Sequence, residues 1–327
     1  MAKFSSQPLM MCSVSVRAKE AIRPSNRAFF FCGMVRWALS SFTQRPRFFI
    51  TLFDTMIKQE AGSLPLWYFQ NLLNYKEICH FVSSRVGGFG DQPYDSLNLG
   101  YHVGDNPETV QKNRQRLALS VGIPLENFTF TRQVHGNKVK IITADLRGSG
   151  AFQENTAIND ADAMVTNIPN ICLLVLQADC VPFLFFDTKK KVIGVAHAGW
   201  RGTLRKVAQN TIKIFMEKFC CSPDNIVVGI GPSIGPCCYE VGPETIAEIR
   251  KVFRNTNKYL QQENFQDKGY FNLREANKLQ LIQMGIPERN IEIAHLCTKC
   301  NHTLFFSHRY HPVGTGRFGA GIMLKNP

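Results

Sequence analysis

Three uninterrupted apolar runs stand close together in the middle of the chain: Cys172–Gln177 (CLLVLQ), Pro182–Phe186 and Val192–Ala196. None of them alternates polar with apolar residues. A strand with one wet face must alternate, so these runs are expected as strands buried on both faces. A sheet made of such strands needs cover on each side, which points to a layered domain. The charged stretch Thr188–Lys191 reads as the turn between the second and third runs. After the third run, Leu204, Ala208, Ile212, Phe215 and Phe219 recur at helical spacing, as an amphipathic helix requires. Ile226–Ile230 is a further apolar strand. Asn106-Pro107 opens another helix, and Asn272 with Glu275 forms a variant capping box before a helix over Leu273–Met284, closed by Gly285 and Pro287. The expected class is α/β in the mixed α+β sense: a layered sandwich of mixed sheets flanked by helices, in a single domain over 66–327.

Charge separates that body from what precedes it. Of a net +13 over 327 residues, residues 1–50 carry +7, from eight basic residues and one acid, Glu20. A Ser- and Arg-rich, acid-poor segment over 1–60 is expected to be a transit peptide to an organelle, chloroplast or mitochondrion. The alternative is a disordered extension on a cytoplasmic protein. The milder charge of the body argues against a nucleic-acid-binding surface. No uncharged run reaches the roughly 18–20 residues that a membrane span needs. The 11 cysteines are odd in number and irregularly spaced, which suits reduced thiols rather than a disulfide scaffold.

Chemistry-bearing residues gather where strands give way to loops: Gln133-Val134-His135-Gly136, Ala178-Asp179-Cys180, and His197-Ala198-Gly199-Trp200-Arg201-Gly202. If the hairpin around the charged turn is symmetric about Thr188–Lys189, Cys180 faces His197 on one face of the sheet. The pair is then close enough to share a metal or to act as a nucleophile and base. A catalytic zinc takes three protein ligands, and one Cys with two His is an allowed set. A metal-free Cys–His dyad suits an amidohydrolase instead. A buried structural thiol and a satisfied core histidine remain the plain alternative. Asp179 argues against it, since an acid at the end of an apolar strand is costly without a purpose. Arg85 and Arg201 are candidate anion contacts. Cys297-Thr298-Lys299-Cys300 is a lone CxxC with no second one, so it is not expected to form a zinc ribbon, although His302, His308 and His311 lie near it. The adjacent pairs Cys220-Cys221 and Cys237-Cys238 read as packing.

Taken together, several segments resemble the YfiH-type family, which also carries a multicopper polyphenol oxidoreductase, laccase-like label. They are Ser84-Arg85-x-Gly87-Gly88, Tyr94-x-Ser96-Leu97-Asn98-Leu99-Gly100-x-His102, the QVHG segment at 133–136, Asp160-Ala161-Asp162-Ala163, Ala178-Asp179-Cys180-x-Pro182, the HAGWRG segment at 197–202, and Gly231-Pro232 through Gly242. The likeness runs from about Phe81 to Leu324. It implies a single-domain layered fold and a zinc held by His135, Cys180 and His197. It also implies purine nucleoside chemistry: phosphorolysis of adenosine, inosine, guanosine or methylthioadenosine, and deamination of adenosine. In that reading Asp179 moves protons beside Cys180, while Arg85 and Arg201 bind phosphate. The laccase label implies copper-dependent phenol oxidation. That chemistry needs many imidazoles, whereas this chain has eight histidines and no His-x-His pair. The chain departs from the family at Ser307-His308-Arg309-Tyr310-His311, where one arginine and one acid are missing. Substrate preference follows that stretch if it lines the pocket.

Overall fold

The computed structural model describes residues 56–262 and 267–326. Its strands are β1 (Ile57–Ala61), β2 (Leu64–Tyr68), β3 (Ile78–Val82), β4 (Phe128–Thr129), β5 (Val139–Ile141), β6 (Ala163–Thr166), β7 (Cys172–Gln177), β8 (Val181–Asp187), β9 (Val192–Ala198), β10 (Ile226–Ile230), β11 (Glu240–Val241), β12 (Leu260–Gln262), β13 (Gly269–Phe271), β14 (Ile291–Ile293) and β15 (Phe318–Leu324). The helices are α1 (Gln70–Leu73), α2 (Pro107–Val121), α3 (Trp200–Leu204), α4 (Val207–Phe219), α5 (Pro243–Val252) and α6 (Leu273–Gln283). One sheet has the order β1-β2-β3-β15-β7-β4, a second β14-β10-β8-β9-β6-β5, and a small third β11-β13-β12. Both large sheets mix parallel and antiparallel pairs. This is the mixed α/β class that the apolar runs require. Among the described residues no helix is long and apolar enough to cross a membrane.

The layering explains why the central runs do not alternate. Leu173 and Val175 of β7 pack with Leu184 and Phe186 of β8 and Ile193 and Val195 of β9 in a cluster between the two large sheets. The intervening Phe183, Phe185, Val192 and Ala196 face the other way, against Ile212 and Phe215 of α4 and Leu281 of α6. On the first sheet, Cys172, Leu174 and Leu176 turn outward onto Leu117 of α2. Every residue of these three strands is therefore buried, whichever face it occupies. The predicted helix ends hold as well. The Asn106 side chain accepts the Glu108 and Thr109 N–H groups, and the Asn272 side chain accepts that of Glu275.

The hairpin register differs from the expected one. The β8–β9 hairpin is centred on Lys189–Lys190, not on Thr188–Lys189: Asp187 pairs with Val192, and Pro182 with His197. The Asp187 carboxylate accepts the N–H groups of Lys189 and Lys190, and Lys191 takes a φ of +52°, so the loop closes one residue further along each strand. The slip amounts to two positions and preserves the faces, because the side-chain period of a strand is two. Cys180 therefore lies opposite Gly199 rather than His197, but on the expected side. β1 and the start of β2, which precede residue 66, also pair into the first sheet. Residues 1–55, which hold nearly all of the expected transit or extension segment, lie outside the described residues.

His80 of β3 is 3% exposed, and its Nε2 accepts the Phe69 N–H at 2.9 Å. Burial, reinforced by the charge of Lys325, pushes the imidazole down to about 4. The folded-state value lies below the ordinary one, so the folded chain binds fewer protons than the unfolded chain between them. The stability from neutral His80 is complete above about pH 6.5 and is lost as pH falls towards 4. A shift of this size corresponds to about 3 kcal/mol. Denaturant unfolding across pH 4–6.5 should show a shallower slope in His80→Gln than in the wild type, the remainder coming from His102, which burial also pushes down to about 4; an unchanged slope in the variant would exclude His80 as a source.

Candidate metal centre and its cavity

His135, Cys180 and His197 reach one point from three separate elements. His135 sits in the loop between β4 and β5, and His197 on the buried strand β9. Cys180 ends the short crossing Ala178–Cys180, which carries the chain from β7 in one large sheet to β8 in the other. The loop backbones are bent to do this: φ is +56° at His135 and +93° at Asp179. Non-glycine residues rarely adopt such values and need surrounding contacts to hold them. Gln133 supplies one, with its side-chain amide donating to the Leu176 carbonyl at 2.7 Å and accepting the Leu176 N–H at 2.8 Å. The QVHG loop is thereby stitched to the end of β7 as a strand would be.

The strongest constraint is Asp162, which is fully buried. Its Oδ1 accepts the His135 N–H at 2.9 Å, and its Oδ2 accepts those of Gly136 at 2.7 Å and Val134 at 3.2 Å. The same Oδ1 lies 3.0 Å from Nδ1 of His197. One carboxylate thus orients two of the three candidate ligands and leaves Nε2 of His197 free to face Cys180. Burial pushes the Asp162 carboxyl up, but His197 and the loop N–H groups outweigh it and hold it below the usual carboxylate range. Gly199 completes the fit. A Cβ there would stand 2.9 Å from the Cys180 sulfur and 3.0 Å from the His135 ring, so only glycine allows the approach.

The ligand atoms of His135, Cys180 and His197 all lie within 4.8 Å of one another. Two imidazoles and one thiol at that separation, with a carboxylate behind one imidazole, can hold a metal ion. In the metal-free chain they form a charged pair. Burial pushes the Cys180 thiol up, but His197 and His135 outweigh it and bring it down to about 6. Burial pushes His197 down, and Cys180 and Asp162 bring it up to about 9.

These residues line a cavity of about 770 Å³. Five arginines border it (Arg114, Arg132, Arg201, Arg309 and Arg317), against two acids, Glu154 and Asp179. Of the arginines, only Arg201 was expected from the sequence. It stacks on Trp200 with its guanidinium carbon 4.4 Å from the ring centroid. Arg85 is not among the lining residues. The residue is 7% exposed, and its guanidinium is committed to Asp95 and to the His302 carbonyl while it lies over the Phe306 ring. It clamps two loops and does not reach the cavity. Asp179 does line the cavity, with its oxygens accepting the Thr298 hydroxyl at 2.6 Å and the Arg309 N–H at 2.7 Å. The divergent stretch after Phe306 contributes His308 and Arg309 to the wall. Among the residues that line the cavity, the Gln177 amide and the Thr131 hydroxyl are buried with no hydrogen-bond partner among the described residues. Gln177 had a weak signal, as the one polar side chain in the buried run CLLVLQ. Asp162 had a signal, since the burial cost that marks Asp179 applies equally to an acid entering β6.

The family described as multi-copper polyphenol oxidoreductase laccase matches residues 79–325. The purine nucleoside phosphorylase YlmD of Geobacillus stearothermophilus is 37% identical over 241 residues, covering 74% of this chain and 88% of that protein. Adenosine deaminase RL5, from an unknown prokaryotic organism, is 34% identical over 248 residues, covering 75% of this chain and 93% of its own length. The crystal structure of YlmD from Geobacillus stearothermophilus matches with a TM-score of 0.78 at 34% identity, across 84% of this chain and all of that one.

The charged pair has a direct test. In metal-free protein, alkylation of Cys180 by iodoacetamide should follow a thiolate with a midpoint near pH 6 and shift alkaline in His197→Ala. A midpoint near 9 in the wild type would contradict the pair. Gly199→Ala should lower metal affinity by about 10-fold or more, because the added methyl displaces Cys180 or His135; equilibrium dialysis would show it.

Proposed function

The chain belongs to the family described as multi-copper polyphenol oxidoreductase laccase, the YfiH-type family, and from that premise we propose that it is a zinc-dependent purine nucleoside phosphorylase with adenosine deaminase activity. Its proposed substrates are adenosine, inosine, guanosine and methylthioadenosine, with inorganic phosphate as the second reactant. The observation that carries this reading is the basic cavity opening directly onto the His135–Cys180–His197 group. The donor set suits zinc, since a borderline-soft cation accepts imidazole and thiolate together. When bound there, zinc supplies Lewis-acid polarisation to the atom being attacked.

The protein's own groups divide the remaining work. Among the described residues no hydrogen bond or ion pair holds the Arg201 guanidinium, so it is available to bind phosphate at the cavity wall. In phosphorolysis a phosphate oxygen bonds to ribose C1′ as the C1′–N9 bond breaks, and its electron pair leaves with the purine, which takes up a proton. Cationic groups around the phosphate hold the nucleophile in place and offset repulsion as it approaches. The Gln177 amide offers one donor group and one acceptor to a purine edge, and its pairing would remove the cost of burying it unpartnered. An amide can turn to match adenine or a 6-oxopurine, which fits a broad purine range. Trp200 and Tyr239 give the same cavity aromatic walls. In deamination water adds at C6 of adenine and ammonia leaves. Asp179, oriented by Thr298 and Arg309, is the proposed group that moves the protons.

A metal-free Cys–His amidohydrolase is the second reading, favoured by the lowered Cys180 thiol beside a raised His197. The two separate cleanly. The nucleoside reading expects free base from inosine to rise saturably with phosphate, and activity to vanish in Cys180→Ala together with bound zinc. Absence of base release from every purine nucleoside would overturn it, and full activity in a zinc-free preparation would favour the dyad. Arg201→Ala should raise the KM for phosphate about 10-fold or more with a smaller effect on the KM for nucleoside, and Gln177→Leu should show the reverse pattern.

A further inference from the structure

Four cysteines converge outside the catalytic cavity. Cys237 and Cys238 belong to the loop that follows β10, while Cys297 and Cys300 belong to the loop that follows β14. These strands are parallel neighbours, so both loops leave the sheet at the same end. Beyond the strands the chains stay joined: Ser233 bridges to Cys297, and the Thr298 N–H donates to the Ser233 carbonyl at 3.1 Å. The four sulfurs all lie within 4.8 Å of one another, with Cys300 at 3.5 Å from Cys237 and 3.4 Å from Cys238. None of the four lines the cavity.

Several features around this cluster suit thiolates. The Cys297 sulfur accepts the Gly235 N–H at 3.2 Å and is also within reach of the Cys300 N–H. Backbone N–H groups aimed at a sulfur stabilise its anionic form. Arg274 is 7% exposed and lies within electrostatic reach of Cys297, Cys237 and Cys300. Gly235 makes room for all of them: a Cβ there would stand 2.9 Å from the Arg274 guanidinium, 3.2 Å from Cβ of Cys297 and 3.3 Å from the sulfur of Cys237. Neutral thiols packed for bulk alone need neither the glycine nor the buried cation.

We propose that Cys237, Cys238, Cys297 and Cys300 form a second metal site, a tetrathiolate that takes zinc as a structural ion. Zinc–sulfur bonds of about 2.3 Å in a tetrahedron separate the sulfurs by about 3.8 Å, close to the spacing already present. Binding displaces the thiol protons to solvent and leaves a net negative cluster that Arg274 offsets. A disulfide would use only two of the four and leave Cys300 to choose between equidistant partners. The ion would join the two loops that wall the cavity, because Thr298 follows Cys297 and bonds to Asp179, and Tyr239 follows Cys238.

Zinc content of the full chain, purified under reducing conditions, loaded with zinc and desalted, tests this by mass spectrometry of the metal. The wild type should hold two equivalents. His135→Ala/Cys180→Ala should keep one, and Cys237→Ser/Cys300→Ser should lose one. Cobalt loaded into His135→Ala/Cys180→Ala should give the intense visible bands and sulfur-to-metal charge transfer of a tetrahedral thiolate site. If either variant fails to fold, a zinc titration of the wild type against a chromogenic chelator still decides, through one binding phase or two. Loss of all zinc in His135→Ala/Cys180→Ala, or a cobalt spectrum of weak octahedral type in that variant, would overturn the site. So would a disulfide at Cys300 that persists in zinc-loaded protein.

Discussion

A buried carboxylate holds this protein's chemistry together. Asp162 gives one oxygen to His135 N–H and His197 Nδ1, and the other to Val134 and Gly136 N–H. An isolated carboxylate at that depth would be strongly unfavourable, and the four partners offset the cost by saturating both oxygens. The backbone of Asp162 adds to the tie, since its carbonyl accepts the His197 N–H at 2.7 Å and its N–H donates to Lys138 at 3.1 Å. A loop between sheets, the start of β6 and the end of β9 are therefore locked by one residue. The bent backbone at His135 is held by that lock, and Gly199 leaves the room for Cys180 and His135 to meet beside it.

Much of the architecture was readable because burial on both faces leaves a plain mark on sequence. The runs at 172–177, 182–186 and 192–196 had no polar face to show, and each occupies the middle of the sandwich. The grouping of His135, Cys180 and His197 is legible because each lies in or next to a loop of small residues: His135 before Gly136, Cys180 between β7 and β8, and His197 near the end of β9 before Ala198 and Gly199. The hairpin register was not, since it hangs on the Asp187 side chain capping its own turn. The error was even in number, which kept Cys180 on the correct face. Arg85 is ambiguous in sequence because a conspicuous arginine next to glycines looks the same whether it clamps a loop, as it does here, or meets an anion. The four-cysteine cluster was invisible for a topological reason: Cys238 and Cys300 are 62 positions apart and meet only because β10 and β14 run in parallel.

Charge shows how a global number and a local field differ. The net +13 is concentrated at the N-terminus, and the body reads as only mildly basic. Yet the cavity gathers five arginines from separate segments against two acids. Some are committed: Arg114 donates to the backbone at Leu99 and Ala151, and Arg317 to Thr315 and Gly316. They still contribute positive field to the cavity, which a concave wall focuses on an anion inside it. Arg201 can add direct bonds to that field. The likeness to proteins named as a phosphorylase and a deaminase fits a cavity that combines an anion-attracting wall, an unpartnered amide and a metal-capable corner.

Asp162 orients two of the three candidate ligands, and through them it should govern both zinc binding and the proposed nucleoside turnover. Asp162→Asn keeps the size of the side chain and removes its charge, so it probes the lock with little change in packing. Zinc affinity and kcat/KM for inosine phosphorolysis, measured on the same preparation, should fall together by about 10- to 100-fold. Wild-type zinc affinity or wild-type turnover in Asp162→Asn would contradict the account.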